Sequence, residues 1–461
     1  MRTYERLRQF LNGHAMPGQR TAVLALSFVA SFALFAFADS PARLFVVACA
    51  GIGFTGLLLY PEFALALYLV IGDVKGDDRV ASLFPIDLTL ALAALLIAGI
   101  LLNSLRGKRI VRMPPICFLL VALTAMMALS LSYTPMFAAG ADKFGRFLVL
   151  TGIVIVAPFF VLDSPRTMKR FFIGFAAAAY AICLYSLARL GGSERLVSPS
   201  DNTIGLGHVA CACCAVIWCA TIPQKSFVKR LLTYSLLLVP AAALIGSGSR
   251  GPALALAIVV IGSVFLYRRL LFDGICLIAA GLMVLPLLSI PRSSLEYLGS
   301  LVAGSTANAL LDFRGELLNF GYRLLQQHPF IGTGIGGFRY SSPNPGAYKW
   351  PHNIFLEIAC ELGIPAALLV TTLFAGALRE SWRQLLDRRS PEFVLSMIAA
   401  ALLVIGIVNA LNTGDINSDR STWFFMSLVF VIRAYCASHT ERLNFAWEET
   451  GAAAPLAEQV E

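Results

Sequence analysis

Apolar runs of helix length, separated by short connections in which the charges collect, repeat along almost the whole chain. They fall at about 21–38, 42–59, 61–73, 85–103, 115–132, 143–162, 168–188, 204–221, 228–246, 251–267, 270–290, 354–378, 393–411 and 421–437. A helix needs roughly 20 apolar residues to cross the ~30 Å hydrocarbon layer, and most of these runs come close to that length. The pattern predicts an all-α fold, a polytopic transmembrane helical bundle of about 12–14 spans. The run 61–73 is short for a full crossing. The run 21–38 has the position of a signal peptide, but its length, the lack of a clear cleavage site and the apolar run directly after it predict a retained helix.

Composition supports the same class, with 58% hydrophobic and 14% charged residues where soluble domains have about 45–50% and 25%. The net charge is +9. Its Lys and Arg residues gather in SLRGKRIVRMPP, DSPRTMKR, IPQKSFVKR and RESWRQLLDRRSPE, and short basic connections stay on the cytoplasmic side. With the tail carrying Arg2, Arg6, Arg8 and Arg20 inside, all four land inside and the long loop 291–353 lands outside. The positive balance therefore reads as membrane orientation, and no nucleic-acid partner is expected.

Most of the ten cysteines, Cys49, Cys117, Cys183 and Cys276 among them, lie in apolar runs. Cys211, Cys213 and Cys214 are spaced like a ligand cluster, but on a helix Cys211 and Cys213 point about 200° apart. They are expected to be small packing residues, with no metal site. The chain divides into an N-terminal transmembrane bundle (1–290), a loop carrying part of the active site (291–353), C-terminal transmembrane helices (354–437) and a cytoplasmic tail (438–461). Beyond His439 the tail is expected to be disordered.

Charges set against the lipid pattern are the candidates for chemistry. Taken as one helix at about 100° per residue, DFRGELLNFGYRLLQQ places Leu318, Gly321 and Leu325 within about 40° of Arg314. Arg314 is thus centred on the apolar stripe, where a guanidinium needs an anion. Arg323 falls on the polar side with Glu316, Asn319, Gln326 and Gln327, as a solvated charge. Arg250 sits in GSGSRGP, a turn whose small residues would let backbone N–H groups and a guanidinium meet phosphate; Ser249 is its polar neighbour. His352, with Asn353, stands at the mouth of the 354–378 run, suited to take a proton from a hydroxyl. Glu357 and Glu361 follow on one helix face. Ser249, Asn353 and Glu357 are the expected substrate contacts.

Three further patterns are weaker. GTGIGGF resembles a dinucleotide loop without its preceding strand, and reads as a flexible turn. DINSDR opens like a calcium loop, but Arg420 and Met426 stand where that loop needs glycine and glutamate. His208 could line the site, although an interfacial histidine with satisfied partners is the default.

The combination GSGSRG, FRGELLNFGYRLLQQHPFIGTGIGGF and PHNIFLEIACELGIP, over roughly 245–365, resembles the O-antigen ligase and polymerase superfamily. TGDINSDRSTWFF farther on is also similar. The resemblance implies a bacterial inner-membrane glycosyltransferase, a GT-C-like bundle with a large periplasmic loop containing short helices and an active site facing the periplasm. It implies glycan donors on undecaprenyl diphosphate lying in membrane lipid, and no cofactor, neither nucleotide sugar nor metal. Ligases of the family transfer the glycan to lipid A–core, and relatives to another lipid-linked glycan or to a protein. Matched motif by motif, the functional residues are Arg250, Arg314 and His352.

The expected reaction is an inverting transfer to a lipid A–core hydroxyl. Alternatives are a polysaccharide polymerase, a protein O-oligosaccharyltransferase and a permease. Transporters place ionisable groups near the midplane; here they gather at one rim, which favours an enzyme.

Overall fold

The computed structural model describes residues 55–83, 87–105, 110–189, 195–268, 309–342 and 349–450, apart from scattered single positions, with a few residues between 268 and 309. The expected runs 21–38 and 270–290, most of 42–59, and the end of the tail beyond Thr450 lie outside the described residues.

Every regular element among the described residues is helical. The principal helices are α1 (Pro61–Val70), α2 (Leu88–Leu105), α3 (Phe118–Ser130), α4 (Phe137–Val161), α5 (Pro165–Ala188), α6 (Thr203–Thr221), α7 (Phe227–Ser235) and α8 (Leu238–Ser247). They are followed by α9 (Arg250–Leu266), α10 (Ala309–Gln327), α11 (Gly337–Ser341), α12 (Ile354–Leu386), α13 (Phe393–Asn412) and α14 (Arg420–Thr450). Six segments among the described residues are long and apolar enough to cross a membrane: α4, α5, α6, the α7–α8 stretch, α12 and α13. α2, α9 and the stretch around α3 are shorter apolar helices. The chain is a multi-pass, all-α membrane bundle.

α6 and α13 form its centre. α6 packs on α5, α8, α9 and α13, and α13 on α9, α12 and α14. Small buried residues, Cys211 to Ala215 on α6 and Ala399 to Ala401 on α13, let the backbones approach, as helix contacts in lipid require. Cys211 Sγ donates to the Pro252 carbonyl (3.2 Å) and Cys213 Sγ to that of Ala176 (3.6 Å), so the thiols diverge onto α9 and α5. Peripheral helices turn Phe118, Leu129, Ile173, Leu232 and Phe265 outward, where only an apolar solvent would favour them.

The end of α14 departs from expectation. It runs on through Thr450, because the stretch after His439 is rich in Glu, Arg, Leu and Ala, all good helix formers.

A second departure shapes the site. α12 breaks at Gly363 (φ 84, ψ 171), two residues before Pro365. Proline has no N–H, so the Glu361 carbonyl loses its helical donor, and the break also turns Ile364 N–H away from Cys360. The turn 329–336 replaces both bonds. Ile364 N–H donates to Pro329 O (2.8 Å), Thr333 N–H to Cys360 O (2.9 Å) and Gly334 N–H to Glu361 O (2.9 Å). A side chain at Gly363 would run into the Phe330 carbonyl. The glycine cluster GTGIGG is therefore a docked turn with defined partners, pinned as well to the turn that follows α3 by Thr134 Oγ1 donating to Ile335 O (2.8 Å).

Candidate active site

α10 is amphipathic as expected, but its buried face centres on Leu317, Gly321 and Leu324, which leaves Arg314 toward the margin of the stripe and not at its middle. Leu317, Gly321 and Leu324 are buried, whereas Glu316, Asn319, Arg323, Gln326 and Gln327 are exposed. Its apolar face packs with Leu356 and Cys360 on the first turns of α12, and Cys360 Sγ donates to the Gly321 carbonyl (3.0 Å). Arg314 is half-buried at the margin of that face and acts electrostatically on His352.

The segment Trp350–Asn353 is built from one residue to the next. Pro351 is buried, and Asn353 caps α12 by accepting from Leu356 N–H (3.0 Å). Between them His352 takes φ 56, a left-handed conformation that non-glycine residues avoid and that collects at functional sites. The Trp350 and His352 rings meet edge to face at 5.9 Å. His352 Nδ1 is buried without a hydrogen-bond partner. Burial lowers the His352 pKa, the Arg314 charge lowers it further, and Asp415 opposes them. Burial and the Arg314 charge thus both disfavour the protonated ring.

The GSGSRG turn is more self-contained than its composition suggests. Gly248 N–H donates to Ile245 O (2.9 Å) and Ser249 N–H to Ser247 Oγ (3.2 Å), so neither is open to a phosphate. Ser249 Oγ donates to the Thr203 carbonyl (2.9 Å), tying the turn to α6. Arg195 and Ser294 cap the end of α8 by donating to Ser247 O (2.8 Å) and Gly246 O (2.6 Å). Arg250 begins α9, where the backbone of Gly251 runs beside Asn409 and Asn412 of α13.

A cavity of about 410 Å³ opens beside His352. Tyr68, Asp73 and Lys75 line it from the end of α1, Asn202, Gly205 and His208 from the start of α6, and Asn409, Asp419 and Arg420 from the α13–α14 connection. Arg250 and Arg314 do not line it. The structure thus joins His352 to Arg314 electrostatically, and Arg250 is not among the residues that line the cavity.

Glu357 is placed differently from a substrate ligand. Lys143 of α4 donates to Glu357 Oε1 (2.5 Å) and to Glu361 Oε2 (2.6 Å), and Ile416 N–H donates to Glu357 Oε2 (3.0 Å). Asn417 Nδ2 completes the link by donating to the Lys143 carbonyl (2.9 Å). The cluster holds the turn that carries Asp419 and Arg420. That turn is organised by Asp415 Oδ1, which accepts from Ser418 N–H (2.5 Å) and Asn417 N–H (3.2 Å), as an aspartate at the head of a turn does.

Sequence reasoning passed over Asp73, Lys143, Trp350 and Asp419, and weighed Arg420 only against a calcium loop. Asp73 closes the short run 61–73, and Asp419 and Arg420 belong to DINSDR, so an unexplained charge beside an apolar run was the available signal.

The fold is an all-helical membrane bundle in which a histidine of left-handed backbone conformation stands at a mainly apolar cavity, with a half-buried arginine acting on it electrostatically. Residues 235–371, which hold Arg250, Arg314 and His352, match the family model described as O-antigen ligase. That stretch of the chain is similar to the O-antigen ligase family, whose members are membrane glycosyltransferases of the ligase and polymerase type. No curated protein matches the chain.

Proposed function

We propose that the protein transfers a glycan from undecaprenyl diphosphate to a hydroxyl of lipid A–core at the periplasmic face of the bacterial inner membrane. The observation that carries this reading is His352, whose buried Nδ1 lacks a partner and whose pKa is lowered first by burial and then by Arg314. His352 takes the proton of the acceptor hydroxyl as that oxygen attacks the anomeric carbon. The bond from that carbon to the diphosphate breaks, and the diphosphate leaves as an anion. Arg314, with Arg250 at the head of α9, meets the developing charge. Attack opposite the leaving group inverts the anomeric centre.

The test is transfer by purified protein in detergent, given lipid A–core and an undecaprenyl-diphosphate glycan. Glycosylated lipid A–core is the expected product. His352→Ala should lose about 10²- to 10⁴-fold and Arg314→Ala about 10²- to 10³-fold. Arg323→Ala, on the exposed face of α10, should stay within about twofold. Growth of the lipid-linked glycan with bare lipid A–core would replace the ligase reading with a polymerase. Near-normal turnover in His352→Ala would remove it from the chemistry.

A further inference from the structure

The cavity walls come from two parts of the chain. Of its lining residues only Trp350 and His352 fall within 235–371; Tyr68, Asp73, Asp419 and Arg420 come from helices and turns outside the family match. Reaction chemistry shared by a family and walls outside the shared region are suited to different tasks.

The polar groups on those walls have a common character. Asp419 is 5% exposed; its Oδ1 accepts from Ser421 Oγ (3.2 Å) and its Oδ2 is buried without a partner. Trp350 Nε1, a donor, is also buried without a partner. The carboxyl of Asp73 fills the space beside Gly205 that a side chain there would occupy. Burial pushes Asp73 and Asp419 each up to about 7, and no cation offsets that in either. The nearest lining guanidinium, Arg420, lies 5.8 Å over the Tyr68 ring with its Nε donating to Asn417 O (3.2 Å). Lys75, the other lining cation, is paired with Asp87 (3.4 Å), so a diphosphate would meet two carboxyls and no cation without an anionic or carbonyl partner. A polyhydroxylated ring would find acceptors, an indole N–H and aromatic faces, the small set of convergent polar groups in an otherwise apolar pocket that fixes a neutral ligand.

We propose that this cavity holds the sugar ring of the acceptor, with Asp73, Asp419 and the Trp350 N–H reading its hydroxyls beside His352. Acceptor choice is then set by walls outside the family-matched residues, and the donor diphosphate lies elsewhere, toward Arg314 and Arg250. The inference rests on the transferase reading above.

Two measurements on the purified full-length protein test it. In the transfer assay, Asp73→Asn and Asp419→Asn, which keep the side-chain shape, should each raise the KM for lipid A–core about tenfold or more. The KM for the lipid-linked glycan should stay within about twofold. In a turnover-free titration, lipid A–core should change tryptophan fluorescence saturably. Trp350→Phe should abolish the change and Asp419→Asn should shift it to about tenfold higher concentration. Unchanged acceptor KM in both Asn variants, an effect on the donor KM alone, or a fluorescence change produced only by the lipid-linked glycan would each overturn the proposal. Saturable binding of lipid A–core without transfer would leave it standing and refute the transferase reading instead.

Discussion

Lys143 with Glu357 and Glu361, and His352 with Asp73 and Asp419 around one cavity, are both sets of ionisable side chains set into an apolar bundle, yet only the first is complete. The lysine reaches both carboxylates, and a backbone N–H takes a further oxygen of Glu357. In the second, His352 Nδ1 and Asp419 Oδ2 are buried with no partner, and burial alone acts on Asp73. An unmade hydrogen bond in a low-dielectric interior costs more than a made one gains. A closed cluster is therefore architecture, and on the proposed function the open one is where a substrate would supply the missing partners. The two should fail differently: breaking the first should unfold the protein, and breaking the second should stop it working.

The largest expected effect on stability follows from the closed cluster. Lys143→Met leaves two carboxylates buried beside each other, which should cost about 3–5 kcal/mol. Thermal unfolding in detergent would show it as a lower midpoint. Adding Glu357→Gln and Glu361→Gln to the same chain should restore most of the loss, since a buried ion group replaced whole is often close to neutral. His352→Ala, in contrast, should leave the midpoint where it is while transfer collapses. A melting loss at His352 as large as that at Lys143 would abolish the distinction between the two clusters.

This difference also marks how far the sequence could be read. The helices were legible because lipid imposes one pattern on every span, and the two faces of α10 were legible because its period is local. Arg314 and His352 stood out as charges against that pattern. Lys143 did not, because its partners are 214 and 218 residues away and only the folded chain brings them together. Glu357 looked like a substrate contact for the same reason. The glycine turn was misread in kind: its glycines suggested looseness, whereas the carbonyls freed by Gly363 and Pro365 hold it in place. Asp73 and Asp419 become meaningful only once two distant turns form one cavity.

The joint between the clusters offers an intermediate effect. Gly334 has φ 85, and a Cβ there would stand 2.6 Å from the Thr134 backbone. Gly334→Ala should cost about 1–3 kcal/mol for the backbone conformation alone, and displacing the turn would also expose the Cys360 and Glu361 carbonyls. Because Glu361 also holds Lys143, unfolding should shift before acceptor KM does. Gly334→Ala with full stability but a raised acceptor KM would place the turn with the open cluster instead.

The smallest expected effect is a displacement along the pH axis, and its sign is fixed by the groups around His352. Transfer requires the neutral ring, so the rate falls as pH drops through the His352 pKa. Burial first and Arg314 second lower that pKa, and Asp415 raises it, so the acid limb should lie below the ordinary histidine range near ~6.5. Arg314→Gln removes the cation, lets the ring protonate sooner and should move the limb to higher pH, over and above its loss of rate. Asp415→Asn removes the anion while leaving an oxygen for the Ser418 and Asn417 N–H groups, and should move the limb to lower pH. The measurement is the initial transfer rate against pH with both substrates saturating. Opposite displacements are expected of a titrating group that feels both charges, as His352 does. Displacements of the same sign, or none, would assign the limb to another group in the cavity, and the carboxyls of Asp73 and Asp419, each raised to about 7, would be the next to replace.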